Sequence, residues 1–157
     1  AWREAGEPFP ALALPLLPQQ AWDAFLAASD FSIVRGEDSW SRAALCGRPF
    51  LWQAYPQEGR HHLVKVEAFL DRLRPHFVPH ESDQTAGPAA AFSALETLYR
   101  AFNDRDGDRA GLCGEESLLP VLRGYSALQP GFSAFSASLE ANGDLADNLV
   151  TFVREIV

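Results

Sequence analysis

A short β-rich run, Asp30-Phe31-Ser32-Ile33-Val34, stops at Arg35-Gly36-Glu37-Asp38-Ser39, and helical patterning resumes at Trp40 and ends at Cys46-Gly47. A strand that ends on a glycine turn and feeds directly into a helix opens a βαβ unit, which restricts the chain to folds that alternate the two kinds of element. A second apolar run, Phe50-Leu51-Trp52-Gln53-Ala54-Tyr55, follows Pro49 and closes at Pro56. Residues 61–73 carry Leu63, Val66, Phe69, Leu70 and Leu73 as an apolar stripe at helical spacing. Ahead of the junction, residues 19–29 place Trp22, Phe25, Leu26 and Ser29 on one helical face, and residues 11–14 alternate as a first strand would. The order predicts an α/β fold, a small parallel sheet of about three strands with right-handed crossovers, flanked by helices.

No strand pattern follows Tyr55. Residues 75–88 are polar and proline-containing and predict a loop, a weak internal break; residues 89–103, 115–128, 131–141 and 144–156 predict a helical C-terminal part. The 157 residues suffice for one domain, 1–157, with a core of its own. No apolar run approaches the ~20 residues of a membrane-spanning helix. The apolar stretch of residues 9–17 is broken by Pro10 and Pro15 and is too short for a signal peptide, so the expectation is a cytoplasmic protein. The chain begins at Ala1 and has no methionine, which suggests an excerpt of a longer protein whose active site is shared with a part outside it.

The formal net charge is −8, which argues against binding a nucleic-acid backbone. Cys46 and Cys113 have no metal-like spacing and read as partly buried thiols. Asp104, Asp106, Asp108 and Glu115 imitate a calcium loop, but Arg109 stands where its glycine belongs, so a solvated acidic loop is expected and no metal. His61 and His62 are adjacent on a helix and point apart, a poor metal pair; His62 could instead reach a ligand cleft. His76 and His80 fall in the expected loop without a carboxylate partner nearby. Trp40 reads as core, and Trp52 could face either side of its strand.

The turn carries the chemistry. Ligands of open α/β sheets bind beyond the carboxyl ends of the strands, which is where residues 35–39 fall. Gly36 permits a sharp turn or a close approach, the N–H groups of the following helix can hold phosphate oxygens, and Arg35 can add a bidentate grip. The Ser39 hydroxyl adds another donor. Glu37 and Asp38 would repel a bare diphosphate, yet could accept bonds from sugar or ribose hydroxyls, which suits a nucleotide sugar. In the plainer alternative, Asp38 or Ser39 caps the helix and Arg35 pairs with Glu37 on the surface. The turn lacks the glycine spacing of a Walker loop or dinucleotide fingerprint, and no nucleophile elbow surrounds Ser39.

The run from Asp30 to Ala43, then Gly47-Arg48-Pro49-Phe50-Leu51-Trp52-Gln53-Ala54-Tyr55-Pro56-Gln57, then His62, Lys65, Glu67, Ala68 and Phe69-Leu70, resembles the C-terminal half of bacterial protein-arginine rhamnosyltransferases that modify elongation factor P, the EarP family. Asp144-Leu145-Ala146 and Leu149-Val150-Thr151-Phe152 also resemble that family's end. The resemblance covers most of the chain and is thinnest over residues 75–115. It implies a GT-B enzyme of two Rossmann-like halves, inverting and metal-independent, with no cofactor. The C-terminal half would bind dTDP-β-L-rhamnose; an aspartate of the N-terminal half would be general base and would chiefly meet elongation factor P. Arg35, Gly36, Glu37, Asp38 and Ser39 match the family's donor motif, with Arg35 and Glu37 nearest the chemistry. Tyr55 and Gln57 match a second motif, and Gln19 a position near the base. Leu16 and Leu17 stand where the family tends to place an aromatic residue that stacks on thymine. Two other functions stay open on the residues themselves: a non-catalytic Rossmann-like interaction module, and a GT-B transferase using another nucleotide sugar.

Overall fold

The computed structural model describes residues 10–77, 87–104 and 114–156. Two short strands, β1 (Ser32–Arg35) and β2 (Phe50–Gln53), pair in parallel from Ser32↔Phe50 to Arg35↔Gln53. Helix α1 (Gln19–Ala28) precedes β1, α2 (Glu37–Leu45) crosses between the strands, and α3 (His61–Leu73) follows β2. Among the described residues four helices follow: α4 (Gly87–Asn103), α5 (Glu115–Arg123), α6 (Tyr125–Ala141) and α7 (Leu145–Ile156). The expected α/β arrangement, a small parallel sheet flanked by helices with a helical C-terminal part, is what the chain adopts.

Three expectations need correction. Residues 11–14 form no strand: they pair with no ladder, and Leu12 is 83% exposed. A strand's alternation is worthless without a partner for its N–H and C=O groups. Residues 75–77 are not loop but the end of a 3-10 turn, Arg74–Phe77, and Gly87 and Pro88 already belong to α4. The last long helical tract divides at Gly124, not at Gln129-Pro130; Pro130 lies inside α6. A Cβ on Gly124 would come 2.9 Å from that of Ala91, so the corner between α5 and α6 packs tightly on α4.

Strand β2 is buried on both faces: Phe50, Leu51 and Trp52 are each at most 3% exposed. Such a strand ordinarily lies inside a parallel sheet with neighbours on both edges. Here β1 takes one edge, and side chains of α4 take the other. The Tyr99 hydroxyl donates to Phe50 O (2.8 Å), and Asn103 Nδ2 donates to Trp52 O (2.9 Å) while its Oδ1 accepts from Ala54 N (2.9 Å). Two side chains one helical turn apart thus stand in for a third strand and satisfy Phe50 O, Trp52 O and Ala54 N along that edge. Burial raises the pKa of the Tyr99 phenol well above its ordinary value, which keeps it a donor.

Around β2 the aromatic rings interlock. Phe69 lies 5.6 Å from Phe50, Trp40 and Tyr99 by ring centroid, and Phe132 lies 5.5 Å from Phe50. Phe77 stacks on Phe92 at 4.7 Å and meets Phe132 edge-on, which ties the 3-10 turn after α3 to α4 and α6. Among the described residues no helix is long and apolar enough to cross a membrane.

Candidate functional site

The junction between β1 and α2 is built around Gly36. Its backbone sits at φ 80°, ψ 170°, a region that side-chain-bearing residues avoid. Gly36 N–H extends the ladder to Gln53 O (3.2 Å), and Gly36 O accepts both Trp40 N–H (3.2 Å), the first helical bond, and the Trp52 indole N–H (3.1 Å). Trp52 therefore faces the interior and braces the turn from beneath. The Tyr55 ring lies against the turn from the other side, so close that a Cβ on Gly36 would stand 2.7 Å from its Cε2. The Arg35 guanidinium packs 5.0 Å from the centroid of the same ring. The structure thus brings Tyr55, from the second matched motif, against Arg35 and Gly36 of the first.

Helix α2 starts at Glu37 with Gly36 as its N-cap, and no side chain caps it. Neither Asp38 nor Ser39 takes that role, contrary to the plainer alternative. The N–H groups of Glu37, Asp38 and Ser39 are those that a helix start leaves unsatisfied, and they carry the positive end of its dipole. Arg35 is exposed and enters no ion pair among the described residues; Glu37 pairs with Lys65 Nζ instead (2.9 Å). Asp38 pairs with Arg42 Nε (3.1 Å), and Arg42 Nη1 reaches both oxygens of Asp23 (3.0 Å each). With its amide oxygen turned inward, Gln19 also accepts from Arg42 Nε (2.9 Å).

Those pairings meet the repulsion of an anionic ligand in part: Glu37 faces Lys65, whereas Arg42 is divided between Asp38 and Asp23, so one negative charge of that group stays uncompensated. The Lys65 hydrogen bond holds the Glu37 carboxyl below its ordinary pKa, and the bonds to Asp23 and then Asp38 push the Arg42 guanidinium further up. Arg42 was not among the expected site residues, though it is the hub that joins α1 to the start of α2.

Beside the turn lies a cleft of about 470 Å³ in which Gln19, Asp38, Ser39 and Arg42 meet Leu16, Leu17 and Trp22. In the sequence Trp22 marks only the apolar face of residues 19–29. Its position three residues after Gln19, on the same helical face, is the signal that could have found it. Ser39 is half-buried and makes no side-chain hydrogen bond among the described residues. The other expected residues border different hollows. Glu37 and Lys65 rim a recess of about 290 Å³ floored by Trp40, Trp52 and Phe69, and Gln57 lines one of about 240 Å³ with Arg60, His62 and Asn103. Trp40 packs on Trp52 and Phe69, in keeping with a core role.

His62 does not open onto the first cleft; it is 7% exposed and bonded to Gln57 N and Asn103 O. His76 meets Phe135 edge-on, and burial lowers its pKa; His80 lies outside the described residues. Asp104 ion-pairs with Arg60, while Asp106 and Asp108 lie outside the described residues. Partial burial raises the Cys46 thiol's pKa; Cys113 is likewise outside them.

Residues 7–154 match the family model described as elongation factor P (EF-P) rhamnosyltransferase EarP. The chain belongs to the EarP family. It is 42% identical over 147 residues to the protein-arginine rhamnosyltransferase of Shewanella oneidensis, covering 90% of this chain and 32% of that one. It is 36% identical over 142 residues to that of Pseudomonas putida, covering 90% and 33%. In three dimensions it resembles a chain from the structure described as the basis for EarP-mediated arginine glycosylation of translation elongation factor EF-P. The TM-score is 0.65 at 31% identity, over 91% of this chain and 40% of the other. This EarP-family chain thus spans about a third of the length of those two relatives.

Proposed function

We propose that this chain is the C-terminal, donor-binding half of an inverting GT-B rhamnosyltransferase that transfers rhamnose from dTDP-β-L-rhamnose to an arginine of elongation factor P. The observation that carries the reading is the turn itself. Arg35, which enters no ion pair among the described residues, three helix-start N–H groups and the Ser39 hydroxyl lie on one turn at the carboxyl end of a parallel sheet, and Ser39 borders the cleft. The names of the relatives, protein-arginine rhamnosyltransferases, support the choice of reaction.

In this reading the general base takes a proton from the acceptor guanidinium, and the freed nitrogen lone pair attacks the anomeric carbon from the face opposite the leaving group. The bond from that carbon to the diphosphate oxygen breaks, and the electron pair leaves with the dTDP. Arg35, Ser39 and the α2 N-terminus face the charge that accumulates on the diphosphate, the kind of preorganised stabilisation that lowers a barrier most. These groups serve the role a metal plays in other transferases, so the proposed chemistry needs neither metal nor cofactor. The Tyr55 ring packs on both Arg35 and Gly36 and sets the shape of the turn. Glu37, paired with Lys65, and Asp38, which shares Arg42 with Asp23, orient the donor through its hydroxyls. Trp22 offers the aromatic face for thymine that Leu16 and Leu17 do not, with Gln19 at the base edge; Gln57 completes the donor loop. The general base belongs to the N-terminal half, which also meets most of elongation factor P. In this reading the protein acts in the cytoplasm.

Calorimetric titration of the chain with dTDP, and with UDP as the control, tests the reading. Saturable binding that prefers dTDP and falls at least about tenfold in Arg35→Ala is expected, since a charge-assisted phosphate contact is worth roughly 1.5–3 kcal/mol. In the full-length enzyme the same substitution should slow turnover about a hundredfold, near 3 kcal/mol. A folded chain that binds neither nucleotide overturns the donor role.

A further inference from the structure

The segment between β2 and α3 carries Tyr55 and Gln57, yet Tyr55, Pro56 and Gln57 are all exposed and no regular element holds them. Its fixed points are a pair of buried polar side chains. Ala54 N–H donates to Asn103 Oδ1 (2.9 Å), and Gln57 N–H donates to His62 Nδ1 (3.3 Å). His62 Nε2 lies 3.2 Å from Asn103 O, which joins the two anchors into one network. Asn103 is 6% exposed, and its Nδ2 holds Trp52 O and Tyr99 O (2.9 Å each), so it cannot shift without breaking the edge of β2.

Only one state of the imidazole satisfies both contacts. Neutral His62 with its proton on Nε2 donates to the Asn103 carbonyl and accepts the Gln57 amide at Nδ1; the other tautomer places a donor against a donor and an acceptor against an acceptor. Nearby, Arg60 takes the left-handed backbone conformation (φ 61°) and ion-pairs with Asp104, the residue after Asn103, so the C-terminal end of α4 grips this connection twice.

We propose that His62 is a positioning residue for the donor loop. By latching the Gln57 amide it holds Tyr55 over Gly36 and Arg35, and it acts on the donor through that loop without touching it. The inference rests on the donor-binding reading above.

Two substitutions separate the latch from a merely structural histidine. In His62→Asn the amide oxygen falls near the Nδ1 position and can still accept the Gln57 N–H, while the reach to Asn103 O is lost. In His62→Gln the amide falls near Nε2, which keeps the Asn103 contact and loses the Gln57 bond. Both variants and the wild-type chain would be titrated with dTDP, their melting compared, and exchange of the Gln57 amide followed by NMR without ligand. The expected result is dTDP affinity within about threefold of wild type for His62→Asn and about tenfold weaker for His62→Gln, with Gln57 exchange fast only in the latter. Equal dTDP affinity in all three chains, an equal loss in both variants, or fast Gln57 exchange in the wild type would overturn the proposal. A wild-type chain that binds no dTDP fails the donor reading and removes the functional half of this inference with it. Slow Gln57 exchange in that chain and fast exchange in His62→Gln would still support the latch alone.

Discussion

The ring of Tyr55 occupies the space that a β-carbon on Gly36 would need, with Cε2 2.7 Å from where that carbon would stand. Gly36 is therefore constrained twice, by its backbone (φ 80°) and by its neighbour. The two constraints separate experimentally, because Tyr55 is 50% exposed and its ring can swing away. Gly36→Ala should cost about 1–3 kcal/mol in urea denaturation, mostly from the backbone strain. Adding Tyr55→Ala should recover little of that stability. dTDP binding should fall in Gly36→Ala beyond what the stability loss explains, since the displaced ring no longer packs on Arg35. Full stability in Gly36→Ala would contradict the geometry of the turn.

Trp22 is the second test of the cleft. Stacking of a base on an aromatic side chain is typically worth about 1–3 kcal/mol by alanine substitution. Trp22→Ala should weaken dTDP roughly tenfold or more while leaving inorganic pyrophosphate, which has no base, with its wild-type affinity. Equal weakening of both ligands would mean that α1 had shifted as a whole. Trp22 stacks on Phe25 one turn away, so circular dichroism of the variant is the necessary companion measurement.

What the sequence made legible follows from what each element depends on. Helix α3 depends on a local stripe, Val66, Phe69, Leu70 and Leu73, which is written in the chain; of the α1 stripe only Leu26 is buried, with Trp22 partly so and Phe25 exposed. The β1 turn was legible for a similar reason: Gly36 marks a backbone that side chains avoid. Residues 11–14 misled because alternation says nothing about whether a partner strand exists. The break at Gly124 was hidden because it depends on the approach of Ala91, more than thirty positions away in the chain. The division of the site was equally non-local. Arg42 gains its role only when Asp23 and Gln19 on α1 reach it, and Asn103 only when α4 lies along β2.

The edge of β2 makes a prediction about stability alone. Tyr99→Phe keeps the buried ring and removes the hydroxyl that meets Phe50 O, leaving a buried carbonyl unsatisfied; the expected loss is about 1–3 kcal/mol. Asn103→Ala strands Ala54 N–H and Trp52 O together and should cost more than Tyr99→Phe. Asn103→Asp should be worse again, because a carboxylate would face Trp52 O and Tyr99 O without a proton to offer either. Chemical denaturation with an unchanged slope would order the three. A Tyr99→Phe chain as stable as wild type would show that water reaches this edge.

The Glu37–Lys65 pair predicts a pH dependence whose sign is set by its geometry. The Lys65 hydrogen bond lowers the Glu37 pKa in the folded chain, so folding favours the ionised carboxylate. The stability this contributes is complete above the ordinary glutamate range and is lost as the pH falls through the lowered folded value. Glu37→Gln removes the titrating group and keeps its shape. The difference in melting temperature between wild type and Glu37→Gln should therefore be positive at neutral pH and shrink toward zero in acid. Because the pair is exposed, added salt should narrow the same gap at neutral pH. The carboxylate also sits in the first turn of α2, where it complements the helix dipole. Lys65→Met should consequently lower the neutral-pH melting temperature less than Glu37→Gln does. A gap between wild type and Glu37→Gln that stayed constant from neutral pH into acid would show that the carboxylate is not held by Lys65 in solution.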